Sequence, residues 1–233
     1  MANELMTLEQ VASYLQRDAR EISKMATRGN IPGHKVGGQW RFARAEINHW
    51  LETQMPSYTN EELSVIEGPK PDGEHEPLIS TLLSEATIAV PLRAATRTSV
   101  LKELVNLAEQ TWQVYDPASI LAAIKQREEM ASTALGSGIA IPHPRRPIPG
   151  ALGEDVMAYG RTASGIPFGD PQGGLTDIYF LVCCRDERTH LGVLARLSRL
   201  MLRPGFLDEL REAETPGKTW DVIAAAERAL LAE

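Results

Sequence analysis

Leu8, Val11, Ala12 and Leu15 recur at the spacing of one helical face, and Thr7 followed three residues later by Gln10 is a capping-box pattern. A second stripe, Ile22, Met25 and Ala26, follows the box-like Asp18-Ala19-Arg20-Glu21 and runs into Gly29, a residue suited to a helix C-terminus. These spacings predict two short helices separated by two or three residues, a helix-turn-helix. Next, Lys35-Val36-Gly37-Gly38-Gln39-Trp40-Arg41-Phe42 sets a Gly-Gly turn between two short β-prone runs and predicts a hairpin. A further helix over 44–51 would carry Ile47 and Trp50 inward. Helix, helix, hairpin, helix is the order of a winged helix-turn-helix.

From Leu78 the pattern changes. The runs 88–92, 138–141, 156–161 and 177–184 read as strands, and the helical stripes fall over 99–111, from Asp116-Pro117 through Arg127, and over 190–202, 204–211 and 219–231. Proline directly after Asp116 suits the first helical position. The order β-α-α-β-β-β-α-α-α is neither a repeat nor an alternating βαβ series. It predicts an α+β domain, a mixed sheet with helices on both faces.

Charge separates the two patterns. Residues 1–55 hold seven Lys/Arg against six Asp/Glu, whereas 56–77 hold one Lys against six acids, together with four prolines and two glycines. Proline, glycine and net charge predict a linker over 55–77, between a domain at 1–54 and one at 78–233. The net charge is −7 over 233 residues. A charge of +1 on the first domain is small for a DNA-binding module, so dimers or tandem sites are expected. No run approaches the roughly 18 apolar residues of a membrane helix, and the N-terminus lacks a signal-peptide pattern; a cytoplasmic protein without membrane insertion is expected. The adjacent Cys183 and Cys184 lie in an apolar run and read as buried packing residues, with no metal or cofactor site expected.

Three features carry chemistry. Gly136-Ser137-Gly138-Ile139-Ala140-Ile141-Pro142-His143-Pro144-Arg145 is a glycine turn, a short apolar strand, and a histidine held between two prolines. Proline fixes its own φ and restricts the residue before it, so His143 sits on a constrained backbone that suits a side chain presented in one orientation. Thr189 would cap a helix with His190 in its first turn, where unpaired N–H groups and the positive dipole end favour anions. Arg127, at the end of a helix before the glycine turn, could fold back over the same site. A histidine that accepts a phosphoryl group needs one ring nitrogen free as nucleophile and the other held by an acceptor. The roughly two negative charges it gains, by analogy with phosphoserine, need cations and backbone donors. His143, His190, Arg127 and a helix N-terminus supply one candidate for each role. Gly-rich GDPQGG (169–174) sits before a strand rather than a helix, so it reads as a hairpin loop rather than a phosphate loop. His34, His49 and His75 read as surface or structural.

The motifs match known families. TLEQVASYL, RGNIPGHKVGGQWRF and AEINHWL, over roughly residues 5–53, resemble the excisionase-type, MerR-like DNA-binding domain. The resemblance implies that the second helix enters the major groove of double-stranded DNA, with Arg20, Ser23, Lys24, Thr27 and Arg28 off its apolar stripe. It also implies that Lys35, Arg41 and Arg44 meet phosphates on the wing side. Trp40 and Phe42 also fit a packing role, and a helix-turn-helix serving as a protein contact is the alternative. REEMASTALGSGIAIPHPR, SGIPFGDPQGG, LTDIYFLVCC and THLGVLARLSRLM resemble the type-2 enzyme IIA domain of the bacterial phosphotransferase system, the fructose/mannitol class with its nitrogen-regulatory branch. That resemblance implies phosphorylation of His143 by the histidine phosphocarrier protein, His190 as the second active-site histidine, and Arg127 supporting the phosphate. Pro144 stands where the family usually has glycine, and Ser137 where asparagine is common. The combination implies a phosphorylation-dependent regulator acting through DNA or a regulatory target protein. The alternatives are a carrier passing phosphate to a separate enzyme IIB, and a scaffold that is not phosphorylated.

Overall fold

The computed structural model describes residues 5–68 and 78–232, and the chain divides into two units, Met1–Gly68 and Pro69–Glu233. In the first, Thr7 and Gln10 cap helix α1 (Leu8–Tyr14) reciprocally, as the sequence predicts. Asp18 caps α2 (Ala19–Thr27) through the Arg20 N–H, but Glu21 does not complete a second box. It pairs instead with Arg17, 2.6 Å away, because a cation four residues back lies on the same face. α2 stops where expected. Gly29 adopts φ +73°, the Asn30 N–H reaches Met25 O at 2.9 Å, and the Gly29 N–H reaches Ala26 O at 3.2 Å, the paired bonds of a Schellman motif.

Strands β2 (His34–Val36) and β3 (Gln39–Ala43) form the hairpin, with Gly37 and Gly38 both at positive φ, as a tight two-residue turn requires. A two-residue strand β1 (Leu5–Met6), too short to carry a periodic signal, pairs with the other edge of β3. Phe42 is fully buried, and a Cβ on Gly33 would stand 2.5 Å from its ring. Helix α3 (Arg44–Gln54) buries Ile47 and Leu51, while Trp50 is only half-buried. The Tyr14 hydroxyl donates to Asn48 Oδ1 at 2.8 Å and ties α1 to α3.

The stretch 55–77 is not linker throughout. Met55 is buried in a 3₁₀ turn, and Thr59 with Glu62 forms a capping box that starts helix α4 (Asn60–Glu67), whose Leu63 is fully buried. The acids that suggested a linker are also what a helix N-terminus favours, and Glu61 and Glu62 lie in the first turn. The rest of that stretch, 69–77 with His75, lies outside the described residues.

The second unit runs α5 (Ile79–Leu82), β4 (Ile88–Ala89), α6 (Arg97–Ala108), α7 (Pro117–Met130), β5 (Ile139–Ala140), β6 (Val156–Ile166), β7 (Thr176–Cys183), α8 (Glu187–Met201), α9 (Phe206–Glu212) and α10 (Pro216–Leu231). Apart from the single turn of α5, this is the predicted order. The sheet is mixed, β4-β6-β7-β5, with β4 parallel to β6, β6 antiparallel to β7, and β7 parallel to β5. Val156, Ala158, Tyr179 and Leu181 pack with Val100, Leu104, Ile120 and Ile124 of α6 and α7. Met157, Tyr159, Phe180 and Val182 alternate with them along the strands, hence point to the opposite face, and are buried too. Both faces of the sheet are therefore covered. β4 is shorter than expected because Pro91 has no N–H for the ladder; the Leu92 N–H rejoins it at Arg161 O, 2.7 Å. β6 runs beyond Arg161 to Ile166 through an irregularity in register, and 169–174 connects β6 to β7 as a hairpin loop.

One contact has no sequence signature. Glu227, fully buried on α10, accepts from the Leu78, Ile79 and Ser80 N–H groups at 2.7, 2.8 and 2.9 Å. It also accepts from the Ser80 hydroxyl at 2.7 Å and from Arg196 Nη1 of α8 at 2.8 Å.

Candidate functional site

β5 and β7 are adjacent and parallel, so the segments that leave them emerge at the same edge of the sheet. The segment after β5 carries His143, and the helix after β7 carries His190. Their rings lie 5.0 Å apart between centroids, inclined at 58°, and both side chains are buried. Two histidines far apart in sequence thus meet because parallel strands end together.

The backbone of His143 is fixed from both sides. Upstream, Gly136, Ser137 and Gly138 all have positive φ, at 75°, 53° and 83°. Arg211 Nη2 donates to Ser137 O at 2.6 Å while its Nε pairs with Asp177 at 2.9 Å. Gly138 O accepts from the Asp177 and Ile178 N–H groups, and a Cβ on Gly138 would stand 2.6 Å from Asp177 Oδ1. Asparagine tolerates the left-handed region better than serine does, which gives a physical reason for the asparagine that the family resemblance places at 137. Downstream, Pro142 O accepts from the Val182 N–H at 3.0 Å, extending the pairing with β7 to the residue before His143. His143 Nδ1 lies 2.7 Å from Ile141 O. A carbonyl only accepts, so in this arrangement Nδ1 carries a hydrogen. Pro144 is buried and contributes no N–H.

The cap of α8 differs from the expectation. It is Asp186, whose carboxylate accepts from the Thr189 N–H at 2.9 Å and the Thr189 hydroxyl at 2.7 Å. A carboxylate accepts both donors at once, which makes Asp186 the stronger cap. His190 is therefore the fourth helical residue, and its own N–H is already bonded to Asp186 O at 3.1 Å. Partial burial pushes the Asp186 carboxyl up, but hydrogen bonds from Thr189 and Arg188 and the charge of Arg188 hold it below its ordinary value of 3.8. A carboxyl depressed by folding stabilises the protein above its unfolded value, and that contribution is lost as pH falls through the folded one. Asp186→Ala is expected to cost about 1 kcal/mol at neutral pH. Asp186→Asn keeps an acceptor and is expected to flatten the acid limb below about pH 4. Urea unfolding at pH 7 and pH 3 checks both, and identical pH dependence in Asp186→Asn and wild type would contradict the assignment.

Arg127 is buried in the last turn of α7, where its Nη1 donates to Ala131 O at 2.8 Å, the residue that closes the helix. In the first unit, Arg20, Lys24 and Thr27 are exposed on α2 and Arg28 at its C-cap, Ser23 is half-buried, and the Thr27 hydroxyl bonds back to Ser23 O. The wing-side cations are held against their own fold. The Lys35 ammonium lies 5.2 Å from the Trp40 ring, Arg41 donates to Trp40 O and Gln39 Oε1, and the Arg44 guanidinium lies 5.1 Å from the Tyr14 ring. His34 is exposed and His49 sits 3.4 Å from Glu52. Cys183 and Cys184 are buried, and burial pushes the Cys183 thiol up to about 12, far from a reactive thiolate. Among the described residues no helix is long and apolar enough to cross a membrane.

The second unit thus holds a buried histidine pair at the edge of a mixed sheet, and the first unit holds a helix-turn-helix. The family model of the phosphoenolpyruvate-dependent sugar phosphotransferase system, EIIA 2, matches residues 81–226, and a helix-turn-helix domain model matches 5–55. The chain belongs to the EIIA 2 family. It is 31% identical over 148 residues to a fructose-specific EIIA component of Haloferax volcanii, covering 63% of this chain and 94% of the relative. It is 28% identical over 149 residues to a nitrogen regulatory protein of Bradyrhizobium diazoefficiens, covering 63% and 94%. A fructose-specific EIIABC component of Bacillus subtilis is 29% identical over 147 residues, but the match covers 62% of this chain and only 23% of that much longer relative. In fold, the second unit resembles the nitrogen regulatory protein IIA-Ntr of Neisseria meningitidis, with TM-score 0.57 and 22% identity over 63% of this chain and 99% of that one. It also resembles IIA mannitol of Escherichia coli, with TM-score 0.53 and 17% identity over 60% and 98%.

Proposed function

We propose that the protein is a cytoplasmic regulator that accepts a phosphoryl group on His143 from the histidine phosphocarrier protein and acts through its helix-turn-helix on DNA. The observation that carries this reading is the orientation of His143. Its Nδ1 is held by Ile141 O and its ring stands 5.0 Å from that of His190. In the step proposed, the Nε2 lone pair attacks phosphorus and a new N–P bond forms. The N–P bond of the donor phosphohistidine breaks, and its electron pair stays on the donor imidazole. The Nδ1 hydrogen stays on Nδ1, donated to Ile141 O throughout, and the charge gained is met by His190 and by Arg127. Incubation with phosphoenolpyruvate, enzyme I and the phosphocarrier tests the reading: an acid-labile label is expected, and no label beside a competent control sinks it. Onward transfer to an enzyme IIB is the second reading, favoured by one structural neighbour described as a complex of enzyme IIA mannitol with phosphorylated enzyme IIB mannitol. Label that chases onto an added enzyme IIB would favour it.

The DNA half rests on three exposed cations, Arg20 and Lys24 on the second helix of the helix-turn-helix and Arg28 at its C-cap. Phosphate contacts release counterions, so affinity should fall as salt rises, and removing one such contact should flatten the logarithmic salt slope by about 1. Arg28→Ala is expected to weaken binding to fragments selected from genomic DNA and to flatten that slope. Binding indifferent to salt, or absent from the wild type, leaves the alternative of a protein contact. Retained binding at half-maximal protein concentrations far below those of a monomeric fragment would support the expected homodimer.

A further inference from the structure

The geometry points to Glu128 as the positioning residue that sets the tautomer and orientation of His143, acting through Thr133 and Ile141. The inference deepens the phosphoryl-acceptor reading of His143 and rests on it.

Glu128 is a buried carboxylate in the last turn of α7, beside Arg127. A carboxylate there needs donors, and the chain that leaves the helix supplies them. The Thr133 N–H lies 3.2 and 3.3 Å from its two oxygens, and the Thr133 hydroxyl donates to Oε1. Arg97 Nη2, from the start of α6, pairs with Oε2 at 2.5 Å and also donates to the Glu128 carbonyl. Arg97 is itself located by the Phe168 ring, 5.4 Å from its guanidinium carbon. Thr133 is thus clamped by its N–H and its hydroxyl, which fixes the direction of its carbonyl.

That carbonyl is the next link. Thr133 O accepts from the Ile141 N–H at 3.2 Å, while the Leu135 N–H reaches Ile139 O at 2.9 Å and Ala134 bridges Ala140. The segment 133–135 therefore runs antiparallel along 139–141 and holds the peptide whose carbonyl, Ile141 O, takes the hydrogen of His143 Nδ1 at 2.7 Å. Each member of the chain Arg97, Glu128, Thr133, Ile141, His143 makes a hydrogen bond to the next. Every link is directional, and both prolines around His143 restrict slack in the last one. A shift of Ile141 O would let the neutral imidazole exchange its hydrogen between Nδ1 and Nε2, removing the nucleophilic lone pair from part of the population.

Glu128→Gln replaces one acceptor with an NH₂ that must face a donor, either from Thr133 or from Arg97. With the full chain, long-range ¹H–¹⁵N spectra of the imidazoles should show His143 as the Nδ1–H tautomer in the wild type. In Glu128→Gln the two ring-nitrogen shifts should converge, and the single-turnover rate of phosphoryl transfer should fall about ten- to a hundredfold with little change in the half-saturating donor concentration. Thr133→Val keeps the side-chain shape and removes only the hydroxyl donor, and should shift the tautomer in the same direction; Thr133→Ser should restore it. A folded Glu128→Gln protein with wild-type tautomer and rate overturns the proposal. If Glu128→Gln does not fold, wild-type tautomer and rate in Thr133→Val overturn it equally. A wild type that takes no label would refute the phosphoryl reading alone, since the tautomer is measured without phosphate.

Discussion

His143→Ala is expected to abolish the acid-labile phosphoryl label, lowering incorporation at least about a hundredfold, because it removes the nitrogen proposed to attack phosphorus. His143 is the residue whose Nδ1 is held by Ile141 O and whose ring lies 5.0 Å from that of His190. His190→Ala is expected to slow transfer about a hundredfold without abolishing it, since it removes a polar group facing the phosphoryl rather than the bond-forming atom. The pair of variants separates the roles by rapid-quench labelling. Equal label in His143→Ala and wild type would place the chemistry elsewhere, and the regulatory reading would lose its site. The role of Pro144 is measurable in the same assay. Pro144→Gly returns the backbone N–H that proline lacks, and a faster transfer in that variant would identify a donor the protein does without.

The largest effect on stability is expected at Glu227, a residue outside any motif. It accepts three backbone N–H groups at the start of the second unit, the Ser80 hydroxyl and Arg196. Glu227→Ala removes the partner of all five donors at a fully buried position and is expected to cost about 3–5 kcal/mol. That is a large share of the roughly 5–15 kcal/mol that holds a domain folded. Glu227→Gln keeps an acceptor and should cost less. Replacing Arg196 with methionine in the Glu227→Ala background should recover part of the loss, because the buried cation goes with its counter-charge. The Trp220 indole donates to Ser80 O and Leu83 O, so its fluorescence during urea unfolding, with Trp40, Trp50 and Trp112 replaced by phenylalanine, reports on the same contact. A loss below about 1 kcal/mol in Glu227→Ala would show that solvent or neighbouring groups replace the carboxylate.

Local features were legible in the sequence wherever the physics is local. The Thr7–Gln10 box, Gly29 beyond α2, the Gly37-Gly38 turn and Pro117 at the first position of α7 each act within a few residues, and each is found as expected. Misreadings fell where two local signals competed. Glu21 chose Arg17 over a backbone N–H, Asp186 displaced Thr189 as a cap, and the acids of 60–67 begin a helix rather than loosen a linker. Those choices depend on which partner is near in space.

The sequence by itself determined the order of elements, the mixed α+β class, and the placement of His143 behind a glycine turn between prolines, because backbone preference and hydrophobic period are properties of neighbouring residues. Only the tertiary structure decided that His143 and His190 face each other, since that follows from the parallel pairing of β5 with β7. It alone decided the hydrogen position on His143, through Ile141 O and the Glu128 clamp behind it. It alone placed Glu227 beneath the entry to the second unit, because a contact between residues so far apart along the chain leaves no periodic trace in the sequence.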